Sequence, residues 1–145
     1  MKSFLSACFV LLFSSITFAQ TNPQWIRYQT ISPDGSTIVF TYKGDLYSVA
    51  STGGDATQLT FHEAHDYMPV WSKDGKSIAF ASDRYENFDI YMMSAQGGAA
   101  KRLTFHSNDE KPFTFSADGK NVIFGALRMD TKEHRQYPTG SQPEL

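Results

Sequence analysis

The sequence has a single cysteine, Cys8, which lies near the start of the chain. Beyond it the chain offers no thiol, so disulfides, thiolate nucleophiles and cysteine-ligated metals are excluded there. A dominant charge is also lacking, because 13 Lys and Arg stand against 15 Asp and Glu, for a net charge of -2. We therefore expect no binding to nucleic acid and no attraction to an acidic membrane surface.

Long hydrophobic runs are equally scarce, and the longest covers residues 4–18. Lys2 precedes this run, and Thr17 and Ala19 place small residues where a signal peptidase requires them. The run is too short for a membrane span. It predicts a signal peptide at 1–19, cleaved after Ala19, and a mature chain of residues 20–145 that is periplasmic or secreted.

A lipoprotein signal is the alternative at this end of the chain. Leu5 to Cys8 resembles a lipobox, which would acylate Cys8. The motif begins too close to Lys2 to leave an apolar segment before the cysteine. We therefore expect Cys8 to leave with the signal peptide.

What the sequence does contain is an internal repeat. The motif Ser-x-Asp-Gly occurs at Asp34, Asp74 and Asp118, with spacings of 40 and 44 residues. The Gly-Gly pair at 53–54 recurs at 97–98, and Leu-Thr-Phe-His at 59–62 recurs at 103–106, both 44 residues later. Motifs that keep a common phase indicate a repeated structural unit.

Each unit carries the pattern of short strands. Apolar residues alternate after each Asp-Gly, and Asp-Leu-Tyr at 45–47 and Asp-Ile-Tyr at 89–91 begin a further strand. Asp-Gly and Gly-Gly supply tight turns. Four antiparallel strands in about 44 residues form one blade of a β-propeller. We predict an all-β propeller of four-stranded blades, about two and a half of them, at about 24–62, 63–106 and 107–145.

These motifs carry a family resemblance. The order of Ser-Pro-Asp-Gly, Ile-x-Phe, Ser-Asp-Arg, Asp-Ile-Tyr, Gly-Gly and Leu-Thr resembles the WD40-like repeat of the TolB type. The stretch 31–47 is similar to the opening repeat of tricorn protease and its bacterial homologues, and the resemblance covers about residues 24–145. Glu86 stands where that family usually has a glycine, which leaves the geometry of its turn open.

The third repeat is incomplete. A polar stretch follows Phe124, and Glu144-Leu145 is the counterpart of Asp45-Leu46. Propellers close with about four to eight blades. We therefore expect the chain to continue beyond Leu145, and residues 20–145 alone to be poorly stable, because the end blades would expose faces meant for neighbours.

The histidines have structural interpretations. His62 and His106 occupy equivalent repeat positions, which favours a structural role at strand ends. His62, Glu63, His65 and Asp66 could ligate a metal, but their spacing matches no zinc motif. We predict no metal site there.

The acidic segment after the second repeat's central strand is a weaker candidate. Asp83, Glu86, Asn87 and Asp89 offer oxygens for calcium, but they lack the spacing and glycine of an EF-hand. We expect Asp83 or Asp89 to bind turn amides and Arg84 instead. We predict no cofactor.

Serines and aromatics fit the repeat as structural residues. Ser32, Ser72 and Ser116 are turn residues, and the sequence has neither a nucleophile elbow nor a phosphate-binding loop. We predict no catalytic residue in this chain.

Four aromatics could form a carbohydrate platform, but we expect them to pack between blades: Trp25, Trp71, Phe80 and Phe115.

Residues Met129 to Ser141 leave the repeat pattern. Such an insertion on a propeller rim is either a binding loop or a solvated loop. Both interpretations stay open.

The resemblance implies a function for the protein to which these repeats belong. That protein would be an exported tricorn-like serine peptidase with catalytic residues far downstream, in which the propeller gates or binds peptide or protein substrates and the full-length protein forms a homo-oligomer. The alternatives are a TolB-type non-enzymatic envelope scaffold that binds proteins, or the propeller of another exported hydrolase such as an amidohydrolase or oligopeptidase.

Overall fold

The computed structural model describes residues 25–128 and 142–144, with side chains from Trp25 to Ala126. These residues form strands and turns, and no helix occurs in the described ranges. The strands are β1 (Arg27–Ile31), β2 (Thr37–Tyr42), β3 (Asp45–Ala50), β4 (Thr57–Gln58), β5 (Asp66–Trp71), β6 (Ser77–Tyr85), β7 (Asn87–Ser94), β8 (Lys101–Arg102), β9 (Glu110–Phe115), β10 (Val122–Arg128) and β11 (Gln142–Glu144).

The strands form three antiparallel sheets in chain order. The first sheet has the order β1-β2-β3-β4, the second β5-β6-β7-β8 and the third β9-β10-β11. Strand β5 contacts both β1 and β9, so the first strand of each sheet lies innermost, where a propeller has its central channel. The predicted all-β propeller of four-stranded blades, forming an incomplete ring, is confirmed.

Strand register shows that the three blades are equivalent. Tyr42 pairs with Asp45 in the first blade, and Ser82 pairs with Asp89 in the second. In the third blade Ala126 pairs with Glu144. Glu144 is therefore the counterpart of the two aspartates, as the sequence predicts, although the segment before it is longer.

The Asp-Gly turns owe their shape to a serine and an aspartate. The hydroxyl of Ser32 donates to Asp34 Oδ1 at 2.5 Å and accepts a bond from the amide of Thr37 at 2.9 Å. Gly35 has a φ of 74°, a conformation that glycine adopts readily. The same serine–aspartate bond recurs in the other two blades, at 2.7 Å and 2.6 Å.

The repeated Asp-x-Tyr and Leu-Thr motifs bind each other. The amide of Leu46 donates to Thr60 Oγ1 at 3.0 Å, and the amide of Ile90 donates to Thr104 Oγ1 at 2.8 Å. Thr60 Oγ1 in turn donates to Asp45 Oδ1 at 3.1 Å. These bonds hold the outer strands, only two residues long, against the blades.

The core lies between the first two blades. Val39, Leu46 and Leu59 of the first blade pack in one buried cluster with side chains of the second, including Phe80 and Tyr91. Burial of such side chains contributes about 1.5–3 kcal/mol each. This cluster joins blades that could not cover their apolar faces alone.

Three of the four aromatics expected between blades are buried or partly buried. Phe80 and Phe115 are buried, and Trp71 packs against the core cluster. The prediction is wrong for Trp25, whose side chain is 68% exposed. Trp25 precedes β1, and Ile31 is the residue that holds the repeat position of Trp71.

Candidate functional site: the channel end of the inner strands

A concave surface that carries aromatic and basic side chains lies where the inner strands begin. We call this pocket of about 750 Å³ the channel-end pocket. Its walls come from the starts of β1, β5, β7 and β9, from the end of β2 and from the turn that follows β2. The residues that line it are Trp25, Arg27, Tyr28, Thr41, Lys43, Gly44, His65, Tyr67, Phe88, Asp109 and Lys111.

An aromatic cluster forms the floor of the channel-end pocket. The rings of Tyr67 and Phe88 meet edge to face with their centroids 4.6 Å apart. Tyr28 lies 5.3 Å from Tyr67 on another side, and His65 lies 5.7 Å from it. Such edge contacts favour a fixed arrangement of the rings. The floor is therefore an apolar surface of defined shape.

A β-bulge displaces the inner strands at this end. Between the pairs Arg27–Thr41 and Thr30–Val39 the register of β1 shifts, and Tyr28 in the bulge has a φ of 53°. Strand β5 has the same irregularity, with Met68 also at 53°. Bulges redirect side chains. The bulge in β1 leaves Tyr28 half exposed, with its ring against Tyr67.

Hydrogen bonds between blades hold the walls of the pocket. The amide of Asp66 donates to the carbonyl oxygen of Gly44 in the first blade at 2.7 Å. The amide of Phe88 donates to Asp109 Oδ1, at the entrance to the third blade, at 3.1 Å. The first bond joins the turn after β2 to the start of β5, and the second joins the start of β7 to the residue before β9.

The pocket carries a positive excess. Three cations, Arg27, Lys43 and Lys111, line it together with one carboxylate, that of Asp109. The guanidinium of Arg27 lies 5.5 Å from the centroid of the Trp25 ring, a cation–π contact. Burial, followed by the charge of Asp109, raises the pKa of Tyr67 to about 12, so this phenol stays neutral at physiological pH. Aromatic faces beside cations suit ligands with apolar and acidic groups.

The structure separates the four residues considered for a metal. His62 Nδ1 accepts a bond from the amide of Ala64, and His65 packs on the aromatic floor. Asp66 is fully buried and pairs with Arg84 at 3.0 Å. Across residues 25–128 no three metal-ligating side chains are clustered.

The acidic side chains of residues 83–89 also bind separate partners, and one expected contact is wrong. Arg84 pairs with Asp66 and not with Asp83 or Asp89. Asp83 Oδ1 accepts a bond from the amide of His65 at 2.7 Å, in the linker between blades. Asp89 pairs with Arg102 at 2.6 Å. Both aspartates thus make charge-assisted bonds, Asp83 with an amide of the linker between blades and Asp89 with an arginine of β8.

Glu86 occupies a position that favours glycine. Its φ is 78°, and its amide donates to the carbonyl oxygen of Asp83 at 3.1 Å in the turn between β6 and β7. An L-residue in this left-handed region is strained. The residue that departs from the family pattern therefore holds a strained backbone conformation.

The histidines at equivalent positions make equivalent bonds. His106 Nδ1 accepts a bond from the amide of Asn108 at 3.1 Å, matching the bond from Ala64 to His62. The three turn serines bind aspartates, and no hydrogen bond joins a serine hydroxyl to a histidine in the part of the chain that the structure describes. A nucleophile activated by a histidine would need such a contact.

Some sequence predictions lie outside the described residues. These are the signal peptide at 1–19 with Cys8, and the insertion from Met129 to Ser141. Among the described residues there is no helix long and apolar enough to cross a membrane.

The sheets and their repeated turns define the chain as a WD40-like β-propeller of four-stranded blades. The sequence matches the family of tricorn protease N-terminal β-propeller domains over residues 23–141. The chain belongs to this family.

Relatives and solved structures agree with this assignment. Dipeptidyl-peptidase 5 of Porphyromonas gingivalis is 36% identical over 67 residues, which cover 39% of this chain and 10% of that protein. A TolB-type protein from Agrobacterium tumefaciens has a TM-score of 0.66 at 22% identity, over 74% of this chain and 40% of its own. Tricorn protease has a TM-score of 0.58 at 17% identity, over 73% of this chain and 11% of its own.

At these identities the two solved structures show a common fold. The chain spans a tenth of the length of the dipeptidyl-peptidase and less than half of either solved chain.

Proposed function

We propose that this chain is the N-terminal propeller segment of an exported, tricorn-like serine peptidase and that it binds or gates peptides on their way to a catalytic centre elsewhere in the protein. Membership of the tricorn propeller family supports the proposal. The signal peptide predicted at 1–19 supports export to the periplasm or beyond. On this proposal, residues 20–145 supply binding surface and no catalytic group.

The observation that carries the proposal is the channel-end pocket. It faces the channel of the propeller, it is lined by Trp25 and Tyr28 with much of their rings exposed, and cations outnumber carboxylates. Aromatic rings provide large contact area for peptide side chains, and arginine and lysine attract acidic ones. Extended peptides with aromatic and acidic residues are the ligands that this surface fits.

The proposal is tested by peptide binding to the intact protein. A fluorescein-labelled ten-residue peptide that contains Phe and Asp should bind, as measured by anisotropy. Trp25→Ala and Tyr28→Ala should each weaken binding by about fivefold or more, the loss typical of an exposed aromatic anchor. The matched control is Phe61→Ala, because Phe61 is 78% exposed but lies outside the pocket. Equal binding by all three variants would contradict the proposal.

A second measurement separates the peptidase from the scaffold. The intact protein should take a label from a serine-directed phosphonate, whereas residues 20–145 alone should take none. A labelled fragment would overturn our assignment of its serines to turns. An intact protein that binds peptides but takes no label would instead be a TolB-type binding scaffold.

A further inference from the structure

A second pocket, of different chemistry, lies at the outer edge of the groove between the first two blades. This pocket of about 530 Å³ is lined by His62, Arg84, Tyr85, Tyr91, Ala100, Arg102 and Phe105. We call it the rim pocket. It shares no lining residue with the channel-end pocket, and none of the residues that line it carries a carboxylate.

Buried hydrogen-bond partners fix the orientation of two guanidinium groups in the rim pocket. Arg84 Nη2 lies 3.0 Å from Asp66 Oδ2, and Arg84 Nε donates to Ser82 Oγ at 3.1 Å. Arg102 Nη2 lies 2.6 Å from Asp89 Oδ2. Both aspartates are fully buried, whereas the arginines keep 15% and 20% of their side chains exposed. The arginines therefore reach the pocket with their orientation already fixed.

Aromatic rings flank both guanidinium groups. Arg84 lies 4.9 Å from the centroid of Tyr91. Arg102 lies 4.5 Å from the centroid of Tyr85 and 4.8 Å from that of Phe105. Tyr85 and Phe105 are 61% and 74% exposed, so the mouth of the pocket is aromatic. A planar or apolar group could pack at this mouth while its polar end reaches the arginines.

Donors in the rim pocket are left without acceptors. Tyr91 is 3% exposed, yet its hydroxyl has no hydrogen-bond partner among the described residues. Arg102 Nε is buried and likewise has none there. His62 Nδ1 accepts a bond from a backbone amide, so a neutral His62 carries its proton on Nε2. A buried donor without an acceptor is costly and calls for an explanation.

We propose that the rim pocket is an anion-binding site that takes a carboxylate group. The Tyr91 hydroxyl and Arg102 Nε supply the unpartnered donors, and the guanidinium groups supply the positive charge. Each guanidinium group is already paired with one buried aspartate, Asp66 or Asp89, so the pocket has no large positive excess and a monoanion is favoured over a doubly charged phosphate. The carboxylate comes either from a small free acid or from an acidic side chain of a peptide. This inference does not depend on the proposed function.

The test uses 4-fluorobenzoate and its neutral analogue 4-fluorobenzamide, with binding to the intact protein followed by fluorine NMR. The benzoate should bind at least about tenfold more tightly than the benzamide, because only the benzoate carries the charge. Equal affinity for the two, or no binding of the benzoate, would overturn the proposal. Tighter binding of inorganic phosphate than of the benzoate would also overturn it.

Tyr91→Phe is the decisive variant, since it removes one hydroxyl that bonds to no described residue. We expect it to weaken benzoate binding by about tenfold and to leave the melting temperature unchanged or slightly raised. Tyr47→Phe is the matched control, because Tyr47 holds the equivalent position in the first blade and lies outside the pocket. Benzoate binding that Tyr91→Phe leaves intact would contradict the assignment.

A further arm distinguishes the two sources of the carboxylate. The probe is a tripeptide with a central Glu, acetylated at its N-terminus and amidated at its C-terminus. Binding of this peptide that is sensitive to Tyr91→Phe would identify an acidic side chain as the ligand. Binding of the benzoate alone, with the same sensitivity, would identify a small free acid.

Discussion

Replacement of Glu86 by glycine should stabilise the turn between β6 and β7. Glu86 has a φ of 78° and an exposed side chain, so the substitution relieves backbone strain without removing a buried contact. The left-handed conformation costs an L-residue about 1–2 kcal/mol. Glycine loses more conformational entropy on folding than glutamate does, and this offsets about 0.5–1 kcal/mol of the relieved strain. The net stabilisation should be about 0.5–1 kcal/mol.

Hydrogen exchange of the intact protein measures this effect locally. The amide of Glu86 bonds to Asp83, and Tyr85 pairs with Asn87, so the peptide spanning residues 83–89 reports opening of the turn. A gain of 0.5–1 kcal/mol slows exchange by about two- to fivefold. Glu86→Ala is the control, because it removes the charge but keeps the strain. Unchanged exchange in Glu86→Gly, or equal slowing in Glu86→Ala, would refute the assignment of strain.

Three further perturbations test the core, the buried ion pairs and the turns. Phe80→Ala should cost about 3–5 kcal/mol in urea unfolding of the intact protein, against less than about 0.5 kcal/mol for the exposed Phe61→Ala. Arg102→Ala should cost about 3–5 kcal/mol, because it leaves Asp89 buried without its cation, and the double variant with Asp89→Ala should recover part of that loss. Hydrogen bonds from Ser32 and Ser36 lower the pKa of Asp34 from 3.8 to about 2. The stability that Asp34 contributes is therefore present above about pH 4 and lost as pH falls through about 2. Asp34→Asn should melt below the wild type at pH 7 and approach it near pH 2.

The pH dependence has an opposing contribution from the partly buried carboxyl of Asp45. Burial raises the pKa of Asp45, and the neighbouring charge of Asp66 adds to that effect. A raised pKa means that the folded state binds the proton more tightly, so this contribution to stability falls as pH rises through the folded pKa. Acid unfolding of the whole protein therefore reports a balance, and only the comparison with Asp34→Asn isolates the turn.

The repeat and its turns were predictable from the sequence because their chemistry is local. In the motif Ser-x-Asp-Gly, residues close together in the sequence supply the hydrogen bonds that shape the turn, as Ser32 and Asp34 show. At Glu86 the sequence left the geometry of the turn open, and the structure shows the left-handed conformation that glycine favours.

Contacts between distant residues of one repeat were harder to predict. Asp66 and Arg84 are 18 residues apart, and nothing in the segment around Arg84 distinguishes Asp66 from the nearer Asp83. The useful signal was the repeat itself, because Glu110 and Arg128 occur 44 residues after Asp66 and Arg84. An acidic and a basic residue that recur together indicate a pair.

The exposed aromatic surface was missed for a different reason. Trp25 was expected to pack between blades, but it lies before β1 and outside the repeat phase. The bulge at Tyr28 contains no glycine or proline that would mark it in the sequence. The bulge at Met68 contains Pro69, a residue that strands tolerate at bulges and that is the one local signal for it. The channel-end pocket is assembled from three blades, so its composition emerges only from the fold.

Hydrogen exchange of the intact protein, with and without the peptide that contains Phe and Asp, tests most directly whether peptides bind at the channel end. We predict protection in the segments that line the channel-end pocket, namely residues 25–28, 41–44, 65–67 and 109–111. Protection should disappear in Tyr28→Ala and persist in Phe61→Ala. Protection confined to other segments, or none at a peptide concentration that saturates binding, would contradict the account.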